Sequence, residues 1–194
     1  ASKQRKLVIV AGVILIAAAL AASLYLTKRH SFRKQASEAL FHARTTLETE
    51  MKVIVDAMKP PAEIAKDAKG KTKTKAPPAE PNIEFTKFDV DTKLKDGVAA
   101  LTKVSEDFKG TLAGFDAEMQ LGSLYYDHAE NAAGYEHALQ WFNTAATSAP
   151  SNDQSVAALY NLGFAQEALN RCADAIKTFD RALTSGAGPF QVEL

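Results

Sequence analysis

The chain has 194 residues, with 23 Lys and Arg balanced by 23 Asp and Glu. That length fits one modest domain with appendages, and the zero formal charge gives no overall basic footprint for nucleic acid. A single cysteine, Cys172, excludes an internal disulfide framework. Glycine and proline gather between residues 59 and 114 and again after residue 149. The remainder is rich in Ala, Leu, Lys, Glu and Gln, which favour helix, and no alternating β-branched run demands a strand. An all-α chain is the expectation.

Residues 1–27 hold a candidate anchor. The run LVIVAGVILIAAALAASLYL from Leu7 to Leu26 carries no charge. Its roughly 20 residues, rising about 1.5 Å each, match a hydrocarbon core about 30 Å thick. Lys3, Arg5 and Lys6 precede it, Lys28, Arg29, Arg33 and Lys34 follow it, and Tyr25 stands where an interfacial aromatic would. The predicted element is a single transmembrane helix, because lipid offers no partner to free backbone amides. The rival is a cleaved signal peptide ending near Ala21, Ala22 and Ser23, but the apolar run is longer than a usual signal core. Basic residues on the two flanks nearly cancel, so the positive-inside rule gives no clear orientation. The favoured topology keeps the short N-terminus in the cytoplasm and the body across the membrane. In a bacterium that is the periplasmic side of the inner membrane.

Residues 28–58 read as a helical stalk. Ala36, Leu40, Ala43, Leu47, Met51, Ile54 and Met58 recur every three or four positions, and no proline or glycine falls between Gly12 and Lys59. Anchor and stalk can therefore form one helix. The mean spacing is nearer 11/3 than 7/2, which argues against a long left-handed coiled coil. Two readings stay open for the stripe: packing on the chain's own domain, or contact with a partner or a second copy, that is, self-association through the stalk. Residues 59–86 then break the pattern. Pro60-Pro61, Pro77-Pro78 and Pro81 frame Lys71, Lys73 and Lys75 among small polar residues. Such a composition buries too little apolar surface to offset chain entropy, so a disordered, solvated tether is expected. No aromatic interleaves the lysines to stack on bases.

From residue 87 to residue 194 the chain turns helical again. Val98, Leu101, Val104 and Phe108 form one apolar face, and two longer units follow. In the first, Leu121-Gly122 and Tyr125 precede Ala138, Phe142, Ala145 and Pro150; in the second, Leu162-Gly163 precedes Ala175, Phe179, Ala182 and Pro189. Pro150 stops one helix, and Ser151, Asn152 or Asp153 can cap the next. Both units resemble the tetratricopeptide repeat, in which small residues sit where two helices cross and large ones fill the space between them. The first unit needs about four extra residues in its turn, at His128–Gly134, against the family's usual period. Gln166 and Cys172 stand where the family has aromatics, and Cys172 is expected to pack as a structural thiol. The helix at 92–109 is expected to open the array as a degenerate start. Phe190–Leu194 fall where another helix would begin.

An anchor followed by a degenerate helix and repeats resembles the ancillary subunit family of the bacterial Sec translocon. Phe108-Lys109-Gly110-Thr111, leading into the Ala117–Tyr125 helix, is similar to that family's pattern between helices. The resemblance implies a periplasmic-facing, chaperone-linked role; the long Lys/Pro tether departs from the family.

No catalytic constellation is visible, and neither a cofactor nor a metal is called for. His30, His42, His128 and His137 lack metal-ligand spacing, and Gly110, Gly114 and Gly122 match no phosphate loop. The chain therefore reads as a non-enzymatic scaffold that binds other proteins of a membrane complex, such as a translocon, secretion machine or motor. The alternatives are an anchored receptor for chaperones or preproteins and an accessory to an enzyme part lying elsewhere. In a tetratricopeptide unit the first helix of each pair lines the concave groove. The candidate groove residues are Met119, Ser123 and Tyr126 in the first unit and Tyr160, Phe164 and Glu167 in the second. Repeats that grip a terminal carboxylate usually present Lys, Asn or Arg there; Met119, Ser123, Tyr160 and Phe164 do not, which counts against the receptor reading.

Overall fold

The computed structural model describes residues 2–59, 64–66, 72–74 and 86–185, and describes side chains in residues 19–59 and 86–185. Among the described residues the architecture is all-helical apart from one short strand pair. Helix α1 runs unbroken from Ser2 to Met58, as the absence of interior proline permits. The expected span from Leu7 to Leu26 lies mostly outside the described side chains. Among the described residues no helix is long and apolar enough to cross a membrane. Strands β1 (Ile64–Lys66) and β2 (Thr72–Thr74) pair antiparallel, Ile64 opposite Thr74 and Lys66 opposite Thr72. This pair departs from the strandless tether that the composition of residues 59–86 calls for. β-Branched Ile64, Thr72 and Thr74 suit the pairing locally; the rest of the tether lies outside the described residues.

Helices α2 (Val90–Lys93), α3 (Lys95–Asp107), α4 (Leu112–Asp127), α5 (Ala132–Ser148), α6 (Asn152–Ala168) and α7 (Cys172–Ser185) follow. Each long helix packs on the next: α1 on α3, α3 on α4, α4 on α5, α5 on α6 and α6 on α7. Helix α1 also touches α4, and α4 touches α6. The long helices therefore form successive hairpins, α1–α3, α4–α5 and α6–α7, whose first helices neighbour one another along one side.

The stalk stripe belongs to this array. Ala36, Leu40, Ala43 and Leu47 are buried in the same core as Leu101, Val104 and Leu121, with Met51 and Ile54 packed against it. Of the two readings left open, packing on the chain's own domain is the one the geometry meets. The stripe is covered by α3 and α4 and is not free for a second copy. Its apolar positions had no covalent neighbour to mark the partner, because α3 comes after the whole tether.

The second helices share one pattern. Gly97, Leu101 and Val104 in α3, Ala138, Phe142 and Ala145 in α5, and Ala175, Phe179 and Ala182 in α7 fall at matching spacing on inward faces. In both later hairpins the first-helix glycine meets the second-helix ring. An added Cβ at Gly122 would overlap Phe142, and one at Gly163 would overlap Phe179. The four extra residues expected in the α4–α5 turn are placed differently. The turns are residues 128–131 and 169–171, so only one extra residue is in the turn. The others add about one helical turn to the start of α5, which reaches Ala138 later than α7 reaches Ala175.

The helix ends are closed locally where short polar residues allow it. Thr111 accepts from the Gly114 amide at 3.1 Å, Asn131 from Ala133 at 2.9 Å, and Ser151 from Gln154 at 3.4 Å. Helix α3 has no such residue, since Leu94 sits at its N-cap. The Glu50 carboxylate of α1 takes that place, accepting from the Asp96 amide at 3.0 Å and the Gly97 amide at 2.7 Å. Beyond α6, Asn170 adopts a positive φ of 58° and turns the chain into α7. Pro189, which closes the second unit in the sequence, and the residues Phe190–Leu194 lie outside the described residues.

Candidate protein-binding groove

The α4 and α6 positions expected to line a groove lie on neighbouring helices, but they are not equivalent. Met119 is half-buried and packs into both apolar clusters of the interior, so it is as much core as surface. Ser123 is half-buried. Tyr126 is half-buried and stands edge-on to Tyr135 of α5, with ring centroids 5.4 Å apart. Burial raises the Tyr126 pKa, and the charges of Tyr135, Asp127 and Glu167 push it the same way. Helices α4 and α6 also touch directly, so the two sets stand on neighbouring helices. Tyr160 and Phe164 remain 36% and 48% exposed although both rest on Phe179, at 6.1 and 5.4 Å between centroids. The two rings are thus braced from below and open above. That arrangement leaves apolar area exposed on rings whose side-chain freedom is already restricted.

Helix α1 reaches the same side through Arg44. Its guanidinium donates to Gln120 Oε1 at 3.1 Å and lies 3.7 Å from the Asp116 carboxylate. Desolvation raises the Asp116 pKa, and Arg44 opposes the rise.

Comparison with protein-family models finds no match, and comparisons with curated proteins and with solved structures find none. The repeat resemblance rests on the chain's own residues and on the recurrence of the glycine–phenylalanine crossing in both hairpins.

Several polar side chains have structural roles that the sequence did not signal. His128 is buried and stacks on Phe88 at 4.2 Å; its Nδ1 lies 2.7 Å from the Thr86 carbonyl oxygen, so Nδ1 carries the proton. The Phe88 amide donates to the His128 carbonyl at 3.3 Å, and Lys87 Nζ donates to the Asp127 carbonyl at 2.9 Å. The returning tether is thereby strapped to the end of α4. The Tyr125 hydroxyl donates to Asp91 Oδ1, and its ring stacks on His137 at 4.9 Å. Burial pushes the Tyr125 phenol pKa up, with Asp91 adding to the rise. Glu118, fully buried, accepts from the hydroxyls of Ser105 and Ser148 and so links α3, α4 and α5. Cys172, expected to pack, is exposed as the first residue of α7, with Ala173 and Asp174 exposed beside it. Among the described residues no group of His, Cys, Asp and Glu is placed to hold a metal ion.

Proposed function

We propose that this chain is a membrane-anchored protein-interaction scaffold of a bacterial envelope assembly. Leu7–Leu26 is the anchor, and the α4–α7 hairpins are tetratricopeptide-like repeats that recruit a partner on their α4/α6 side. The observation that carries the reading is the pair Tyr160 and Phe164, large rings braced on Phe179 yet open to solvent. Glu167, three residues beyond Phe164 on α6, and Tyr126 on the neighbouring α4 are the positions that would extend this surface. The order of anchor, degenerate first hairpin and repeats supports a translocon, secretion or motor accessory among envelope machines. A chaperone or preprotein receptor fits less well, because no Lys or Arg stands at the first-helix positions that would clamp a carboxylate.

Phe164→Ala and Tyr126→Ala, each assayed by circular dichroism and by crosslinked recovery of partners from membranes, test this reading. A binding hot spot costs at least about 2 kcal/mol when truncated, roughly a thirtyfold weakening. Folded variants with diminished recovery are expected. Unfolding of both variants would assign these rings to the core, and normal folding with full recovery would eliminate the groove. Because Cys172 is exposed, the native thiol also reports topology. Periplasmic placement requires its labelling by an impermeant reagent once the outer membrane is permeabilised; labelling only after lysis would reverse the orientation.

A further inference from the structure

Where α1 leaves the helical array, a cleft of about 600 Å³ opens between it and the starts of α4 and α6. Arg29 and Arg33, one helical turn apart, line one wall together with Phe32; Leu112, Asp116 and Gln154 line the other. Among the described residues the only acidic side chain in the lining, Asp116, already faces Arg44 at 3.7 Å. Phe32 leans on Phe108 at 5.2 Å between centroids, which fixes the arginine-bearing turn against the array. A shallower depression sharing Arg29 and Phe32 continues along α1 to Tyr25, the penultimate residue of the apolar run. Leu112 is 56% exposed at the rim. Cationic charge, an apolar rim and a path leading toward the expected bilayer surface therefore occur at one end of the molecule.

We propose that this cleft seats the phosphate-bearing headgroup of an anionic phospholipid from the leaflet facing the helical domain. Arg29 and Arg33 meet the phosphate, a pairing that a planar guanidinium makes in bidentate fashion. Leu112 and Phe32 lie beside the first carbons of the acyl chains. The consequence is mechanical: a bound headgroup ties the starts of α4 and α6 to the membrane and sets the attitude of the array above it. The inference rests on the anchor reading for residues 7–26.

The test uses the whole chain in vesicles of phosphatidylcholine with a minor fraction of phosphatidylglycerol, followed by release into detergent and native mass spectrometry. The expected result is retention of phosphatidylglycerol over phosphatidylcholine. Arg29→Gln with Arg33→Gln should weaken retention roughly thirtyfold, at about a fivefold contribution from each cation near an anionic surface. Ser37→Trp, which fills the cleft without changing charge, should abolish the preference. Lys34→Gln with Lys109→Gln, which removes nearby charge outside the lining, should keep it. Equal retention of the two lipids would overturn the proposal, as would loss in the lysine variant equal to that in the arginine variant. Displacement of the lipid by inorganic phosphate would overturn it in favour of a free-anion site. Flotation with pure phosphatidylcholine vesicles separates the two layers of inference. A chain that floats without lipid preference refutes the cleft alone, and a chain that does not float refutes both the anchor and the cleft.

Discussion

The first hairpin and the two that follow bury similar apolar stripes by opposite means. In α4–α5 and α6–α7 the glycine lies in the first helix and the large ring in the second: Gly122 under Phe142, Gly163 under Phe179. In α1–α3 the glycine lies in the second helix. A Cβ at Gly97 would meet the Leu47 backbone at 2.9 Å and Glu50 Oε2 at 2.8 Å. The connections differ too. The later hairpins close through residues 128–131 and 169–171, whereas α1 and α3 are joined across residues 59–94. Short turns with their own caps specify a hairpin locally, but a long connection leaves more closure entropy for tertiary contacts to offset. The first hairpin meets that need with Glu50, which caps α3 from a different helix, and with the strap of Thr86, Phe88 and His128.

The largest effect should come from the rings of the later hairpins. Phe142→Ala, at a side chain only 2% exposed, should cost about 3–5 kcal/mol in urea unfolding. Phe179→Ala, at a half-buried ring, should cost about 2 kcal/mol, because less apolar area leaves water there. Equal losses would mean that the last hairpin is as enclosed as the one before it. For the first hairpin, Glu50→Ala should cost about 1–2 kcal/mol by leaving the Asp96 and Gly97 amides without their acceptor, with faster amide exchange confined to the start of α3. Glu50→Gln, which keeps one acceptor oxygen, should lose less. An unchanged exchange rate in the alanine variant would show that the tertiary cap is dispensable.

The smallest effect at neutral pH is expected at the junction of strap and array. Tyr125→Phe removes the hydrogen bond to Asp91 and should cost about 1 kcal/mol. Its pH dependence is more telling. The folded phenol's pKa is raised above the unfolded value of about 10, chiefly by burial. The contribution of the protonated hydroxyl is whole below about pH 10 and is lost as pH rises toward the folded value. The phenylalanine variant should therefore show a flatter alkaline limb in its stability profile. A wild-type limb that matches the variant's would remove the coupling.

How much of this was legible in the sequence follows the same division. The paired small and large residues at 121–145 and 162–182 lie within one hairpin each, so spacing alone exposed them, and for the same reason the α6 cap was confined to Ser151, Asn152 or Asp153, of which Ser151 fills the position. The stalk stripe was visible, but not its partner, since nothing local connects Leu47 to Gly97. His128 read as an isolated histidine, and nothing local singles out Glu50 or Glu118 among the chain's other acidic residues. Each acquires its role only when distant helices meet. Cys172 was misplaced because the resemblance puts a packed residue there, while the opening residues of α7, Cys172 to Asp174, are exposed. Among the groove residues, periodicity found the shared face; it could not show that Met119 turns inward while Phe164 stays open.

The central structural claim is that α1 is at once the proposed anchor and the first helix of the array. Urea unfolding of a chain lacking residues 1–27, beside one lacking residues 1–58, tests it most directly. The shorter deletion should leave one cooperative transition. The longer one removes the buried Leu40 and Leu47 together with the Glu50 cap, and should lose at least about 4 kcal/mol, first in α3. Equal stability of the two truncated chains would contradict the account, leaving α1 as a stalk that merely leans on a domain complete without it.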